Sequence, residues 1–340
     1  MTKTTKTTKA TVKYPQGAIL IIDGYNIFAR NYLVNPSLSI NGDPIGGFVG
    51  FIRSLGVLAE KFTASRIIVA WEGGKSARRR ALHPGYKAGR KPLRLNRSEL
   101  YEKDLDSPEN FGWQVAQSVQ LLEMTPIEQL YADDCEADDV IGWLCRHKLK
   151  DNTEPIVICS SDQDMLQLLR PDVYMYSHTG SKLYTEENVI EKYGISPENF
   201  VTARAFIGDS SDRIDGIKGI GFKTLIRQFP KLSGREFVSI DDILTECNDK
   251  VSNAKKPKKA LQAIVDNPDV PRLNWKLMYL DISNLSAEHV KQLKYRYDNT
   301  VTARNKIKFH MEILKRGIRD PQHINLDTFW RRISTIQTQE

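Results

Sequence analysis

The stretch Ala18-Ile-Leu-Ile-Ile-Asp-Gly-Tyr-Asn26 places a short, continuous apolar run directly before an acidic residue. A run of this length that is rich in isoleucine is typical of a strand buried on both faces of a sheet. Similar runs recur at Ile67-Ile-Val-Ala-Trp71 and Ile156-Val-Ile-Cys159. Helical patterns lie between the runs, at 46–62, 113–124 and 139–149. This alternation predicts an α/β fold with a mainly parallel central sheet flanked by helices.

Nine acidic residues occur in short clusters where predicted strands end or predicted helices begin. Ligands of such sheets sit at the carboxyl ends of the strands, and Asp23, Glu72 and Asp162 each follow a predicted strand. Two like charges about 4 Å apart repel by roughly 4 kcal/mol at an intermediate dielectric, so crowded carboxylates indicate cations between them. Oxygen ligands without a His or Cys partner suit Mg²⁺ or Mn²⁺ rather than zinc. The predicted metal ligands are Asp23, Glu72, Glu136, Asp138, Asp139, Asp162, Asp164, Asp209 and Asp212.

Each acidic cluster also has a purely structural explanation. Asp138 and Asp139 suit the first turn of a helix, and Asp164 can begin the next one in the same way. Asp209 and Asp212 suit a turn beside glycine and serine. Taken singly, the cap or turn role is the better explanation at each of these sites. The joint pattern supplies more acids than caps require, and it favours the metal site.

Composition and charge limit the classes of protein that the chain can represent. The 340 residues are 40% hydrophobic and carry a formal net charge of +7, which predicts two structural units and a polyanionic partner. The four cysteines show no C-x-x-C spacing, so a reducing cytoplasm is expected, that of a bacterial host if the chain is phage-encoded. No apolar run reaches membrane-spanning length. The predicted units are a disordered basic tail at 1–16, an α/β core at 17–185 and a helical DNA-binding region at 186–340.

Residues 75–97 contain nine Lys or Arg residues and no acid, directly after Glu72. A solvated basic loop is the common explanation of such a run. Its position beside the acidic clusters favours a nucleic-acid clamp, in which Tyr86 offers a stacking surface next to the charge of Lys87. The predicted DNA contacts in this segment are Arg78, Arg79, Arg80, Tyr86, Lys87, Arg90 and Lys91.

The glycine-rich stretch Gly216-Ile-Lys-Gly-Ile-Gly221 lies between two helical patterns, at about 198–207 and 222–229. Glycines let the backbone approach a phosphate closely, and the following helix N-terminus offers free amides. A plain turn would explain the glycines alone. With both helices, the stretch predicts a helix-hairpin-helix over about 198–229 that binds duplex backbone without reading sequence. The predicted contacts are Gly216, Lys218, Gly219, Gly221 and Lys223.

Six short motifs now occur in one order along the chain. They are Ile22-Asp-Gly-Tyr-Asn26, Gly74-Lys-Ser76, Tyr86-Lys87, Glu136-Ala-Asp-Asp139, Ser160-Ser-Asp-Gln-Asp164, and Gly208-Asp-Ser-Ser-Asp212 with Gly216–Gly221 after it. Over about residues 18–230 the chain resembles the 5′-to-3′ exonuclease and flap endonuclease family, especially the stand-alone bacteriophage enzymes and the 5′-nuclease domain of bacterial DNA polymerase I. Beyond about 235 it resembles a phage RNase H-type member only loosely. The resemblance implies a PIN-like 5′-nuclease core, a helical arch at about 75–112 and a helical C-terminal domain with a helix-hairpin-helix.

The resemblance also implies a two-metal nuclease that uses Mg²⁺, with Mn²⁺ able to substitute. Asp23, Glu72, Glu136 and Asp138 would hold the first ion with Asp139 nearby, and Asp162, Asp164, Asp209 and Asp212 would surround the second, partly through water. Lys87 would face the scissile phosphate, Arg90 would support it, and Arg30 would lie near the site. The hairpin would hold a potassium ion. The family usually has Asp at the position of Glu72, so direct coordination there stays open.

The implied activity is that of a structure-selective 5′ nuclease. It would act on DNA flaps, nicks or RNA primers in replication or repair, as a monomer that binds branched DNA and RNA–DNA primer junctions. A PIN-type endoribonuclease is the enzymatic alternative, but it should lack the arch and the hairpin. A catalytically inactive branched-DNA-binding module is the other alternative, yet such a protein would be free to lose the nine acids.

Two features of the C-terminal third stay open from sequence. Leu326, Phe329, Trp330 and Ile333 form an apolar helical stripe, which favours core packing over docking to a single-stranded-DNA-binding or other replication protein. Lys255-Lys-Pro-Lys-Lys259 is equally well explained as a phosphate contact or as a solvated loop.

Overall fold

The computed structural model describes residues 14–90, 93 and 108–338. Most of the predicted basic tail, the central part of the predicted arch and Lys91 therefore lie outside the described residues. Among the described helices, none combines the length and the apolar content needed to cross a membrane.

Strands and helices alternate through the first half of the described chain, and helices dominate the second half. The strands are β1 (Ile19–Asp23), β2 (Arg66–Ala70), β3 (Glu128–Leu130), β4 (Ile156–Cys159), β5 (Val173–Ser177), β6 (Lys182–Tyr184), β7 (Gly208–Asp209) and β8 (Ile214–Asp215). The helices of the first half are α1 (Gly24–Val34), α2 (Gly46–Phe62), α3 (Ala77–Leu82), α4 (Pro108–Leu122) and α5 (Ala137–Trp143). Those of the second half are α6 (Glu186–Tyr193), α7 (Pro197–Ile207), α8 (Phe222–Gln228), α9 (Ile240–Ser252), α10 (Lys259–Val265), α11 (Asp269–Met278), α12 (Ala287–Asp298), α13 (Lys306–Lys315) and α14 (Leu326–Arg332).

The central sheet has the strand order β3-β2-β1-β4-β5-β6. Its first five strands are parallel to their neighbours, and β6 is an antiparallel edge strand. In the register, Asp23 pairs with Ala70 and Ile22 with Cys159, so the carboxyl ends of β1, β2 and β4 lie side by side. The predicted α/β fold with a mainly parallel sheet is confirmed.

Both faces of the sheet are covered, as the uninterrupted apolar strands predicted. On one face Leu20 and Ile22 pack with Phe51 of α2, and on the other Ile19 and Ile21 pack among residues of α5 and the helical turn at 163–168. The predicted helix at 139–149 is shorter than expected, because α5 gives way to a π-helical turn at 144–148. The four cysteines are buried and form no disulfide.

Helices α7 to α11 form a third hydrophobic cluster that includes Phe206, Leu225 and Ile243. Helices α13 and α14 instead pack on the sheet beside α2, where Phe309 and Trp330 join the first cluster. The prediction that residues 186–340 form one DNA-binding region does not describe this packing. Residues 306–336 belong instead to the hydrophobic core between the sheet and α2.

The apolar stripe of α14 is buried. Leu326, Phe329, Trp330 and Ile333 are between 0% and 6% exposed, which confirms the core explanation and leaves the stripe unavailable for docking a partner.

Candidate active site

The acidic residues that follow the strands come together at one edge of the sheet. Asp23 is the last residue of β1, Glu72 follows β2 by two residues, and Asp162 follows β4 by three. The chain turns sharply after Asp23, where a Cβ on Gly24 would lie 2.5 Å from the Trp71 ring. Only glycine allows this close approach, which sets α1 directly behind the carboxylate.

Asp23 is buried, and its two oxygens have separate partners. Oδ1 accepts a hydrogen bond from the Asn26 backbone N–H at 3.1 Å, and Oδ2 accepts one from the Ser160 hydroxyl at 2.8 Å. Burial raises the pKa of Asp23 to about 7 despite these hydrogen bonds, and the charges of Asp162 and Glu72 add to the rise. Ser160 was missed from sequence, although its place directly after β4 is a signal that it faces the same edge.

Asp162 lies between two groups of acids. Its Oδ1 accepts a hydrogen bond from the Asp164 backbone N–H at 2.8 Å. Burial is the main cause of its raised pKa, and Asp212 and Asp209 add to it. The pKa of Asp138 is raised well above its usual value by burial, and then by Asp162. Asp162 therefore faces both the Asp23 and Asp138 side and the Asp209 and Asp212 side.

Lys87 extends into the acidic site. Its Nζ lies 2.9 Å from Glu136 Oε2 and 3.8 Å from Asp212 Oδ2. Burial disfavours its charge, but Asp138 and Glu136 outweigh that and raise the pKa of Lys87. Its backbone is left-handed, with φ of 51°, and its N–H donates to the Asp212 carbonyl at 3.0 Å. Arg90 also binds the Asp212 carboxylate, so the predicted pair of cations lies beside the acids.

Arg79 and Tyr86 do not lie where DNA contacts were predicted. Arg79 is 2% exposed and Tyr86 is 7% exposed. The Arg79 guanidinium binds both oxygens of Asp139 and also Glu136, and the Tyr86 hydroxyl donates to Glu136 at 2.9 Å. The prediction that these two side chains contact DNA is wrong for this arrangement, because both are enclosed by the acids they bind.

The other predicted basic residues lie at the surface. Arg78 donates to the Lys276 carbonyl at 2.9 Å, and the exposed Arg80 donates to the Lys75 carbonyl at 3.1 Å. Arg30 donates to the Thr179 hydroxyl at 2.8 Å, and that hydroxyl lies 3.4 Å from the hydroxyl of Ser161. Arg30 is thus near the loop that carries Asp162, but its described hydrogen bond is to Thr179 and not to the acids.

Arg204 is a site residue that sequence reasoning missed. It projects from α7 and binds Asp209 Oδ2 at 2.6 Å and Asp164 Oδ1 at 3.3 Å. Burial raises the pKa of Asp164 to about 7, with Asp162 adding to the rise and Arg204 opposing it. Burial also acts to raise the pKa of Asp209, but hydrogen bonds from Ser211 and Arg204 lower it overall. An arginine within a mostly apolar helix, five residues before an Asp, is the signal that points to this pairing.

The hairpin of β7 and β8 connects α7 to the glycine-rich turn and carries Asp209 and Asp212 into the site. The Ile217 N–H donates to the Phe206 carbonyl at 2.9 Å, which fixes the turn against the end of α7. Gly219 has φ of 85°, a conformation that favours glycine. Lys218 and Lys223 are exposed on this turn and on α8. The predicted order of helix, glycine-rich turn and helix is present.

The chemistry of the acids fits a divalent cation. Asp23, Asp138, Asp162 and Glu72 have no ion-pair partner within the described part of the chain. Burial is the main cause of a raised pKa at Asp23, Asp138 and Asp162. The pKa of Glu72 is also raised by desolvation, although its side chain is exposed to solvent. The donors are carboxylate oxygens, which Mg²⁺ and Mn²⁺ prefer.

The described residues nevertheless include no group of three acidic, His or Cys side chains placed closely enough to hold one ion as they stand. Glu136, Asp139, Asp164, Asp209 and Asp212 are bound by Arg or Lys side chains instead. The Asp139 carboxylate in particular binds the Arg79 guanidinium and accepts a hydrogen bond from the Glu136 backbone N–H at the start of α5.

Two cavities flank the acids. One of about 400 Å³ lies between Glu72, Glu136 and Lys87. The other, of about 600 Å³, is lined by Asp162, Arg204 and Asp209. The first cavity opens on the Glu72 and Lys87 side of the site, and the second on the Asp162 and Arg204 side.

Comparison with known proteins places the chain in a family. The model of the 5′-3′ exonuclease N-terminal resolvase-like domain matches residues 18–194. The chain belongs to the 5′-3′ exonuclease family. This family member is 30% identical over 217 residues to a 5′-3′ exonuclease of Buchnera aphidicola, across 63% of this chain and 70% of that one. It is 33% identical over 213 residues to the thermostable DNA polymerase I of Thermus filiformis, across 63% of this chain and 24% of the polymerase. The chain thus spans about a quarter of that polymerase.

Solved structures share the fold of this exonuclease family member. A bacteriophage T5 flap endonuclease, in a pseudo-enzyme–product complex with DNA and metal ions, matches 88% of this chain and 99% of its own with a TM-score of 0.65 and 22% identity. The catalytic core of Rad2 in complex with a DNA substrate matches 94% of this chain and 92% of its own, with a TM-score of 0.56 and 14% identity. The PIN-like 5′-nuclease architecture expected from sequence is thereby confirmed.

Proposed function

We propose that this protein is a structure-selective 5′ nuclease that hydrolyses phosphodiesters at DNA flaps, nicks or RNA primers with the help of Mg²⁺ or Mn²⁺. The observation that carries the proposal is the convergence of Asp23, Asp138 and Asp162 at one sheet edge beside Lys87. These acids have no cation partner among the described residues, and burial raises their pKa values. Family membership supports the same reaction class.

The protein's own residues supply the charge that the reaction needs. Lys87 lies among Glu136, Asp138 and Asp212, where its ammonium can neutralise a phosphate oxygen as charge develops. Arg90 on the Asp212 carboxylate is half exposed, which leaves part of its guanidinium for the same phosphate. Bound Mg²⁺ ions, held by Asp23, Glu72, Asp138, Asp162 and Asp164, would activate the water and stabilise the leaving oxygen.

The glycine-rich turn and α8 would hold the duplex. Gly219 and Gly221 leave the backbone open to phosphates, because a Cβ on either would meet nothing within 4 Å. Gly216 instead packs against the Ile207 carbonyl, where a Cβ would lie 1.9 Å from the oxygen. Lys218 and Lys223 are exposed beside the turn. Contacts of this kind position the duplex without reading sequence. A potassium ion at the turn, and branched DNA or a primer junction as the partner of a monomeric protein, belong to the same proposal.

Known relatives support this assignment. The T5 flap endonuclease structure contains DNA and metal ions, and the Rad2 core contains a DNA substrate. The Thermus filiformis relative is a DNA polymerase I, a replication enzyme. These are properties of those proteins, and the proposal transfers them to this chain.

A cleavage assay with three labelled substrates tests the proposal. A 5′-flap duplex, a blunt duplex of equal length and a single-stranded RNA are incubated with and without Mg²⁺. The expected result is metal-dependent cleavage of the flap near the junction, with slower loss of the blunt duplex from its 5′ end. Internal cleavage of the RNA alone would establish a PIN-type endoribonuclease instead. Flap binding without cleavage in Mg²⁺ and in Mn²⁺ would establish an inactive binding module.

A further inference from the structure

The lysine-rich loop Lys255–Lys259, which ends on the first residue of α10, is attached to the helix that follows the glycine-rich turn. Lys258 Nζ donates to the side-chain oxygen of Gln228, the last residue of α8, at 3.2 Å. Lys250 donates to the Gln228 backbone carbonyl, and its Nζ lies 4.6 Å from the centre of the Phe229 ring. Lys258 therefore holds the loop at the C-terminal end of α8, and Lys250 of α9 binds the same residue.

The remaining lysines of the loop have no anionic partner in the protein. Lys255, Lys256 and Lys259 are exposed, and no ion pair involves them within residues 14–90, 93 and 108–338. The neighbouring acid Glu246 is shared by Lys231 and Lys250 instead. Such pairing leaves the loop as an uncompensated positive surface.

The exposed face of α8 continues this positive surface towards the turn. Lys223 and Arg227 are exposed, four residues apart, and without an ion pair in the described chain, so they lie on one side of the helix. Some other surface cations are paired, as Lys148 is with Asp298 and Lys306 with Asp327, and others, such as Lys291 and Lys308, are exposed without an ion pair in the described chain. What distinguishes Lys218, Lys223, Arg227 and the loop lysines is that they follow one another from the glycine-rich turn along α8 to the loop.

That line is long enough to follow several phosphates of a duplex. The seven residues of α8 span about 10 Å at 1.5 Å per residue. Each strand of a duplex carries one phosphate for about every 3.4 Å of helix axis, so a duplex lying along α8 would place about three phosphates between the glycine-rich turn and the loop. Long, flexible lysines on a loop suit contacts with phosphate rather than with base edges.

We propose that Lys255, Lys256 and Lys259 bind the phosphate backbone of duplex DNA as a second contact, beyond the glycine-rich turn. The inference rests on the proposed function, because it requires a protein that holds a DNA duplex. It assigns to this loop the role of extending the bound length of the duplex arm, with no contact to bases and no part in the chemical step.

The test compares two triple variants that lose the same charge. K255A/K256A/K259A removes the loop cations and keeps Lys258, which holds the loop to α8. The control K291A/K294A/K308A removes exposed, unpaired lysines from α12 and α13, which pack on the sheet rather than with α8. Affinity for a 5′-flap duplex is measured in EDTA by fluorescence anisotropy over a range of salt concentrations, with long and short duplex arms.

The loop variant is expected to bind the long-arm substrate roughly tenfold more weakly, with a salt slope reduced by about 0.9 for each phosphate that the loop no longer neutralises. The difference should shrink on the short arm, and the control should stay close to wild type on both. Equal affinities and slopes for the two variants would overturn the inference, as would an equal loss on both arm lengths. Single-turnover cleavage by saturating loop variant should match wild type. Absence of binding and cleavage by the wild-type protein would instead defeat the proposed function itself.

Discussion

Arg79 and Asp139 form a two-bond ion pair inside the protein. Arg79 Nη1 lies 2.7 Å from Asp139 Oδ2, and Nη2 lies 2.8 Å from Oδ1. The Nε of Arg79 also donates to the Leu277 carbonyl at 2.8 Å, which connects α3 and α5 to α11. The pair thus connects the start of the basic segment to the acidic site and to the helical region. Arg79 therefore positions these three parts of the protein relative to one another and does not face DNA.

Replacing Arg79 by Ala should destabilise the fold. Removal of one member of a buried ion pair leaves the other charge uncompensated, which costs about 3–5 kcal/mol. Here Asp139 loses its described cation partner, whereas Glu136 keeps Lys87 and the Tyr86 hydroxyl. The free energy of unfolding in urea measures the loss. Arg80→Ala is the matched control, because Arg80 is exposed and its described bond is to a backbone carbonyl; it should change stability by less than about 0.5 kcal/mol. Equal losses in the free energy of unfolding for the two variants would show that the Arg79 ion pair does not stabilise the fold.

Replacing Lys87 by Ala should lower the chemical rate more than the affinity. The ammonium lies among the acids of the site, and a charge aimed at a developing oxyanion in an enclosed site contributes about 10²–10³ in rate. Single-turnover cleavage of a 5′ flap at saturating protein gives the rate, and anisotropy in EDTA gives the affinity. Arg80→Ala should bind somewhat more weakly and cleave at the wild-type rate once bound. A wild-type single-turnover rate for Lys87→Ala would remove Lys87 from the chemical step.

Replacing Lys218 and Lys223 together by Ala should weaken DNA binding alike for all sequences. Both side chains are exposed next to the glycine-rich turn, and phosphate contacts carry no sequence information. The dependence of log affinity on log salt should become shallower by about 0.9 for each phosphate that is no longer neutralised. Binding titrations with two flap substrates of unrelated sequence measure both effects. A weaker affinity for one sequence alone would contradict the assignment.

Stabilisation by Mg²⁺ should grow with pH between about 6 and 8. The folded-state pKa values of Asp23 and Asp164 are raised to about 7, from 3.8, so the metal-free folded protein holds protons that the unfolded chain has released. Their contribution to stability is therefore present at low pH and is lost as pH rises through about 7. An ion that binds only the folded state adds RT ln(1 + [L]/Kd) and competes with those protons. Thermal midpoints with and without millimolar Mg²⁺ at pH 6 and pH 8 test this, and equal shifts at the two pH values would contradict it.

The sequence predicted the sheet and the position of its acidic edge because those features depend on local pattern. The run before Asp23 is apolar without interruption, and such a run forms a buried strand whichever helices cover it. The predicted strand at 156–159 is observed with the same bounds, and the predicted helix at 46–62 coincides with α2. Parallel strands then bring Asp23, Glu72 and Asp162 to one edge with no further information.

The roles of individual cations were not predictable in the same way, since they depend on which distant side chain faces each one. Arg79 and Arg80 are neighbours in a run of like residues, yet one is buried against Asp139 and the other is exposed. Arg204 shows no basic pattern around it, and its function as partner of Asp164 and Asp209 depends on the packing of α7 near the helical turn at 163–168. Burial of Tyr86 likewise follows from tertiary contacts with the helical region.

The most direct test of the account is single-turnover cleavage of a labelled 5′ flap by wild type, Asp162→Asn and Asp138→Asn, with Mg²⁺ and with EDTA. Asp162 faces both groups of acids, and Asp138 lies on the Asp23 side, so loss of either charge should abolish cleavage. Flap affinity in EDTA should stay within a few-fold of wild type, because the duplex contacts lie on the turn and α8. Cleavage is expected only by wild type and only with Mg²⁺. Wild-type cleavage in EDTA, or full activity of either variant with Mg²⁺, would contradict it.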